Sequence, residues 1–142
     1  MSLSRMNFGL GTKMTRFILD THTFLWVDFA PERLSNAVRE IIQDTTNTLF
    51  VSMVSIWETQ IKYQLGKLAL PDPLEEVLRR QQETNQIQLL HISLSHIWRL
   101  NQLPHHHSDP FDRLLIAQSL TVNAILVSHD PKIRQYPVKV EW

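Results

Sequence analysis

Three short runs of this chain are apolar without a break, and each ends on an acid or a hydroxyl: Phe17-Ile18-Leu19 before Asp20, Leu49-Phe50-Val51 before Ser52, and Ala124-Ile125-Leu126-Val127 before Ser128. A strand that alternates apolar and polar residues has one wet face. A strand that is apolar throughout is buried on both, which is the signature of a parallel sheet covered by helices. The segments between the runs carry helix signals. Ser35 caps a helix through about Asp44, with Val38, Ile41 and Ile42 on one face. Ser52 opens a helix to about Leu65, stopped at Gly66. Asp72-Pro73 opens one to about Thr84, Ser95 one to Gln102, and Asp109-Pro110 one to about Leu120. Thr21–Val27 reads as a short helix, Ile87–Ile92 as a third strand, Pro104–Ser108 as a His-rich loop, and Val138–Val140 as a fifth strand. The fold class is therefore α/β, with a central, mainly parallel sheet of four to five strands and helices on both faces.

No repeat, linker or low-complexity tract divides residues 14–142, which read as a single domain. Residues 1–13 show no periodicity and read as a flexible leader or an alternative-start segment. They lack the apolar core of a signal peptide, and no run reaches the ~18 apolar residues of a membrane span. The expectation is no membrane and a cytoplasmic location.

Composition removes several chemistries. There is no cysteine, so thiolate metal sites, disulfides and cysteine nucleophiles are excluded. Of the three glycines, Gly9 and Gly11 lie in the leader and only Gly66 in the body. That excludes the glycine-rich phosphate loop and the dinucleotide turn. Fourteen basic residues balance fourteen acidic ones, so the chain has no strong basic footprint of its own for a nucleic acid.

Four acids stand in unusual surroundings. Asp20 and Asp130 follow apolar strands, and Asp112 lies in the first turn of the apolar helix that carries Leu114, Leu115 and Ile116. Glu58 sits in mid-helix on the stripe of Val54, Ile61 and Leu65. Strand C-termini and the following helix N-termini share one edge of an open parallel sheet, where ligands bind. Carboxylates gathered there repel one another, and a hard divalent cation such as Mg²⁺ or Mn²⁺ relieves this. Helix capping is the competing reading. Asp109 is assigned mainly to it, Asp112 reads either as an N3 residue or as a ligand, and Asp130 either as a cap or as a ligand. Capping does not explain Glu58.

The blocks FILDTHTFLW, SMVSIWETQIKYQLGKL, HHHSDPFDRLLIAQSL and AILVSHD together resemble PIN-domain proteins, and more closely the VapC-type toxins of type II toxin–antitoxin systems. The resemblance spans residues 15–142, with the blocks in the same order. It implies a PIN-like three-layer α/β/α sandwich. It places the family's acidic quartet, both catalytic and metal-holding, on Asp20, Glu58, Asp112 and Asp130. Ser128 matches the family's hydroxyl two positions before the last acid, and Asp109 is usual in the subgroup. The implied activity is metal-dependent endoribonuclease, in which water activated by one or two Mg²⁺ or Mn²⁺ ions hydrolyses an RNA phosphodiester. Asp20 and Asp112 would be the strongest ligands, Asp130 a direct or water-mediated one, and Glu58 the holder of a metal water or a second ion. The implied partners are RNA, a cognate antitoxin protein and a second copy of the chain in a homodimer.

Neighbouring residues divide between substrate contact and local structure. His22 is read as packing or as a substrate contact, and Arg113 as pairing with an acid or a phosphate. His105–His107 are read as a solvated loop rather than a transition-metal site, with contact to RNA phosphates as the alternative. Trp26, Trp57 and Trp98 are read as core or interface, and Lys62 as an i,i+4 partner of Glu58. Two rival functions remain. FILDTHT resembles the strand-end motif of phosphoaspartate-type phosphatases, although His22 stands where a second aspartate belongs. In a non-catalytic interaction domain, the acids would only cap helices.

Overall fold

A computed structural model describes residues 14–142; the leader read over residues 1–13 lies outside them. Five strands, β1 (Arg16–Leu19), β2 (Thr48–Ser52), β3 (Gln88–Leu90), β4 (Ile125–Val127) and β5 (Val140–Glu141), form one sheet in the order β3-β2-β1-β4-β5. Every pairing is parallel. Helices α1 (Thr21–Phe29) and α2 (Asn36–Gln43) connect β1 to β2. Helices α3 (Met53–Gln64) and α4 (Leu74–Thr84) lead from β2 to β3, and α5 (Leu94–Arg99) and α6 (Pro110–Val122) lead from β3 to β4.

Strand side chains alternate between two cores, which is why the runs are apolar throughout. Phe17, Leu19, Leu49, Val51 and Val127 face one side, against Phe24 of α1, Val38 of α2 and Val77 of α4. Ile18 and Leu126 face the other, against Leu115 and Ile116 of α6. The molecule is thus a three-layer α/β/α sandwich. Ile18, Leu19, Leu126 and Val127 are fully buried, each contributing roughly 1.5–3 kcal/mol by leaving water. Helix α3 rides the edge between the layers, with Val54 in one core and Ile56 against the other.

Helix starts follow local chemistry, with two departures. Ser35 caps α2 through Val38 N–H (3.1 Å), and Ser52 caps α3 through Val54 N–H (3.0 Å). The helix read from Asp72-Pro73 begins one residue later, with Pro73 itself at the N-cap and no side-chain cap. Asp72 instead accepts from Arg80 (3.2 Å). Helix α5 begins after Ser93 rather than Ser95. His96 is the reason: its Nδ1 accepts the Ser93 N–H (3.1 Å) and fixes the first turn there. The third strand is shorter than Ile87–Ile92, and the fifth starts at Val140. No helix among the described residues is long and apolar enough to cross a membrane.

The strand order decides where a ligand can sit. From β1 the chain crosses to β2 on one side, while β4 pairs with β1 on the other. The switch point, where neighbouring crossovers diverge and leave a crevice, falls at the C-terminal ends of β1 and β4.

Candidate active site

Asp20 follows β1 and Asp130 follows β4 by three residues, so both flank that crevice. Asp20 is buried and is the N-cap of α1, its Oδ1 accepting from Thr23 N–H at 2.9 Å. Burial pushes its carboxyl above the ordinary aspartate range, while bonds from Ser128 and Thr23 pull partly back. Ser128, fully buried, joins the two acids: its Oγ accepts the Asp130 N–H (3.1 Å), leaving its own proton for Asp20. Asp130 also folds back on its own loop, accepting from Lys132 N–H (2.9 Å), but the short 3-10 helix that follows (Ile133–Gln135) has Lys132 at its N-cap with no side-chain bond, so Asp130 is not the cap it was read as and presents Oδ2 to the crevice.

Glu58 reaches the same edge from α3 and is buried. Thr21 Oγ1 donates to its Oε1 (2.7 Å) and Lys62 Nζ to its Oε2 (2.6 Å), which is the i,i+4 pair read from the spacing. The carboxylate holds the Lys62 ammonium above its ordinary pKa, with smaller help from Asp109 and Asp112.

Asp109 takes the capping role read for it, and Asp112, read either as an N3 residue or as a ligand, is left free of it. Asp109 Oδ1 caps α6, accepting from Phe111 N–H (2.8 Å). Asp112 is released from capping and turns its carboxylate to His107 (3.0 Å). Its carboxyl is raised to about 7, by burial first and then by the charges of Asp109, Glu58 and Asp20, against a lowering from His107. The acids read from sequence therefore do share one electrostatic neighbourhood. One ligand atom each from Asp112, Asp130 and His107 lies within 4.8 Å of the others; Asp20 and Glu58 border this group without joining it.

His107 is the main correction. It is not solvated: its side chain is 9% exposed, and Nε2 lies 3.0 Å from Asp112 Oδ2 and 3.2 Å from Asp130 Oδ2. Its Nδ1 accepts the Asp109 N–H (3.2 Å). The neutral ring must then carry its proton on Nε2, facing the acids, so it offers them a donor rather than a lone pair. Tyr136 sets the loop, its hydroxyl oxygen accepting from the N–H groups of His106 (3.0 Å) and His107 (2.8 Å). Among the described residues Arg113 pairs with no acid; it donates to Pro104 O (2.7 Å) and Tyr136 Oη (3.1 Å), bracing the same loop. A run of three histidines gave no sign of which one turns inward, and nothing near Thr21 marked its hydroxyl for Glu58.

The aromatic readings split. Trp57 and Trp98 are 58% and 59% exposed, so neither is core. Trp57 lies edge-on to Phe111 (5.3 Å). Trp26 is half-buried, and the His22 ring stacks on it (5.6 Å).

A parallel three-layer sandwich with an acidic cluster across the switch point is the frame of the PIN domain. The chain belongs to that family, whose model matches residues 17–139. A stretch of 38 residues is 47% identical to Ribonuclease VapC16 of Mycobacterium tuberculosis, covering 27% of this chain and 27% of that protein. Similar folds are found in VapBC2 of Rickettsia felis bound to a DNA fragment from its promoter (TM-score 0.68, 17% identity, 89% of this chain and 98% of that one). They are also found in DNA-bound VapBC of Salmonella typhimurium (TM-score 0.63, 16% identity, 90% and 98%) and in VapBC-1 of nontypeable Haemophilus influenzae (TM-score 0.61, 18% identity, 89% and 97%). At these identities the likeness is one of fold.

Proposed function

We propose that the protein is a metal-dependent endoribonuclease and the toxin of a toxin–antitoxin pair. One observation carries the reading: the Asp112 and Asp130 carboxylates meet at His107 Nε2, 3.0 and 3.2 Å away, on the sheet edge where Asp20 and Glu58 are buried, and burial with the charges of Asp109, Glu58 and Asp20 raises Asp112. Such crowding of carboxylates is costly, and the Lys62 ammonium nearby is already paired with Glu58. The donor set fits Mg²⁺ or Mn²⁺, being carboxylate oxygens at the open edge of a sheet. Asp20, Asp112 and Asp130 would hold the ion, with Glu58 holding its water or a second ion. When bound, the ion lowers the pKa of water and offsets charge on the scissile phosphate.

The chain's own groups do the rest. Thr21 and Lys62 fix the Glu58 carboxylate on two sides, so its orientation survives the absence of substrate. Ser128 couples Asp20 to Asp130, and the His107 Nε2–H holds Asp112 and Asp130 together against their mutual repulsion. Such preorganisation places the acids before the substrate arrives. Hydrolysis then needs no covalent intermediate on the protein. RNA, a cognate antitoxin and a second copy of the chain are the partners of this reading, and the cytoplasm is its setting. The similarity to Ribonuclease VapC16 supports RNA as the substrate, and the shared fold with the VapBC structures supports an antitoxin partner.

The test is cleavage of a mixed RNA pool in Mg²⁺ or Mn²⁺ by the wild type beside Asp20→Asn, with circular dichroism of both. The expected outcome is cutting that requires the metal and falls to background in the variant, with the fold kept. Equal cutting by both proteins overturns the assignment.

A further inference from the structure

We propose that the small cavity between the ends of β1 and β4 is a stacking subsite for one base of single-stranded RNA beside the scissile phosphate. This rests on the ribonuclease reading and adds where a substrate base goes. The cavity is about 220 Å³ and is lined by Asp20, His22, Thr23, Trp26, His129 and Asp130. It thus shares two walls with the acidic cluster. It is smaller than the roughly 300–1,000 Å³ of pockets for drug-sized ligands, which suits one flat ring system.

The rings around it are ordered as two backed stacks. His22 lies on Trp26 with centroids 5.6 Å apart, and His129 on Trp142 at 5.0 Å; both pairs are 19° from parallel. Trp26 meets Trp142 edge-on at 5.8 Å, so the four rings form one ladder. The Arg33 guanidinium lies 5.4 Å from the Trp26 ring and adds a cation to the base of the ladder. The indoles are half-buried, whereas both histidines are exposed. Packing alone accounts for the indoles and leaves the imidazoles unexplained: each is exposed, stacks on an indole and lines the cavity.

Backbone position reinforces this. His22 is two residues after Asp20, and His129 immediately precedes Asp130, so the turns that aim the acids also aim the rings. The ligand must be flat to use the rings and must tolerate two carboxylates beside it. It must also carry its own phosphate toward the metal-binding side, and a nucleotide within an RNA strand meets all three demands. Aromatic stacking accepts any base, because every base has a π-face. The ladder also supplies contact that does not depend on net charge, which is zero here with histidines neutral.

The experiment measures anisotropy of a short, unstructured, fluorescein-labelled RNA in Mg²⁺, using Glu58→Gln protein so that the strand is held uncut. A ribose-phosphate oligomer of equal length without bases serves as the second probe. Adding His22→Ala and His129→Ala together should weaken RNA binding about fivefold or more and leave binding of the abasic oligomer unchanged. Tyrosine at both positions should restore RNA binding. Unchanged RNA binding by the alanine variant overturns the subsite. So does an equal loss for both probes, which would assign the histidines to phosphates. A loss that tyrosine does not restore, with a lowered melting temperature, would make them structural and also overturns it. Cutting by wild type with no effect of the histidine changes removes the subsite alone. A Glu58→Gln protein that binds no RNA, together with a wild type that cuts none, removes the nuclease reading as well.

Discussion

At the residue scale, Asp109 shows how one side chain serves both helix and site. Its Oδ1 caps α6, and its charge is the strongest neighbouring influence raising Asp112, after burial. These roles separate chemically, because asparagine caps about as well as aspartate but carries no charge. Asp109→Asn should leave the melting temperature within error and move the Asp112 titration down from about 7, as read by carboxyl NMR. Asp109→Ala should lose about 1 kcal/mol of stability with the cap. An Asp112 titration unmoved in Asp109→Asn would discount the electrostatic coupling. His107 allows a second test. Without its Nε2–H, Asp112 and Asp130 lose the donor between them, and Mg²⁺ affinity by calorimetry should fall about 10–100-fold in His107→Ala, with partial return in His107→Gln. This residue also marks the limit of sequence reading. Asp20, Glu58, Asp112 and Asp130 stood out because a charge in apolar sequence is anomalous whatever the fold. His107 stood among other histidines in a loop, and only the Tyr136 and Asp109 contacts turn it inward.

At the element scale, boundaries were legible where the cap was local. Ser35 and Ser52 act on the residues beside them, and both helices start where the serines imply. Asp72 was misread because its carboxylate answers a distant partner, Arg80, which also clamps Asp28 of α1 (2.7 Å). Ser95 was misread because an imidazole three residues on from Ser93 does the capping. The stop of α3 was legible in Gly66, the glycine in the body of the chain. Its φ is +72°, and a Cβ there would meet nothing within 4 Å. The cost of a side chain is therefore backbone strain alone. Gly66→Ala should lower stability by about 1–2 kcal/mol, and Gly66→Asn by less, since asparagine tolerates the left-handed region. Denaturant unfolding of the three proteins measures both. An alanine as stable as glycine would mean the turn relaxes out of that region. Asn123 ends α6 in the same conformation, at φ 56°, which the sequence reading passed over because asparagine is a weaker stop signal than glycine.

At the scale of the whole molecule, a neutral chain folds so that several of its acids are concentrated at one sheet edge, and stability must answer for it. Asp20 and Asp112 are both raised in the folded protein, chiefly by burial, Asp112 from 3.8 to about 7. A raised carboxyl binds its proton more tightly folded than unfolded. Between about pH 4 and pH 7 the native state therefore holds more protons, and stability falls as pH rises through that window. In the presence of a chelator, the melting temperature should be lower at about pH 8 than at about pH 5. A divalent cation acts in the opposite sense, since it binds the ionised acids of the native state and not the unfolded chain. At about 100 times its dissociation constant it should return about 2.7 kcal/mol at pH 8, and do little at pH 5, where protons occupy the same oxygens. Asp112→Asn should flatten the chelated profile and abolish most of the cation's effect. Differential scanning fluorimetry with and without Mg²⁺ across this range separates the outcomes. A chelated protein that grows more stable from pH 5 to pH 8 would show that the acids are already neutralised from within, and the case for a cation at this edge would fall with it.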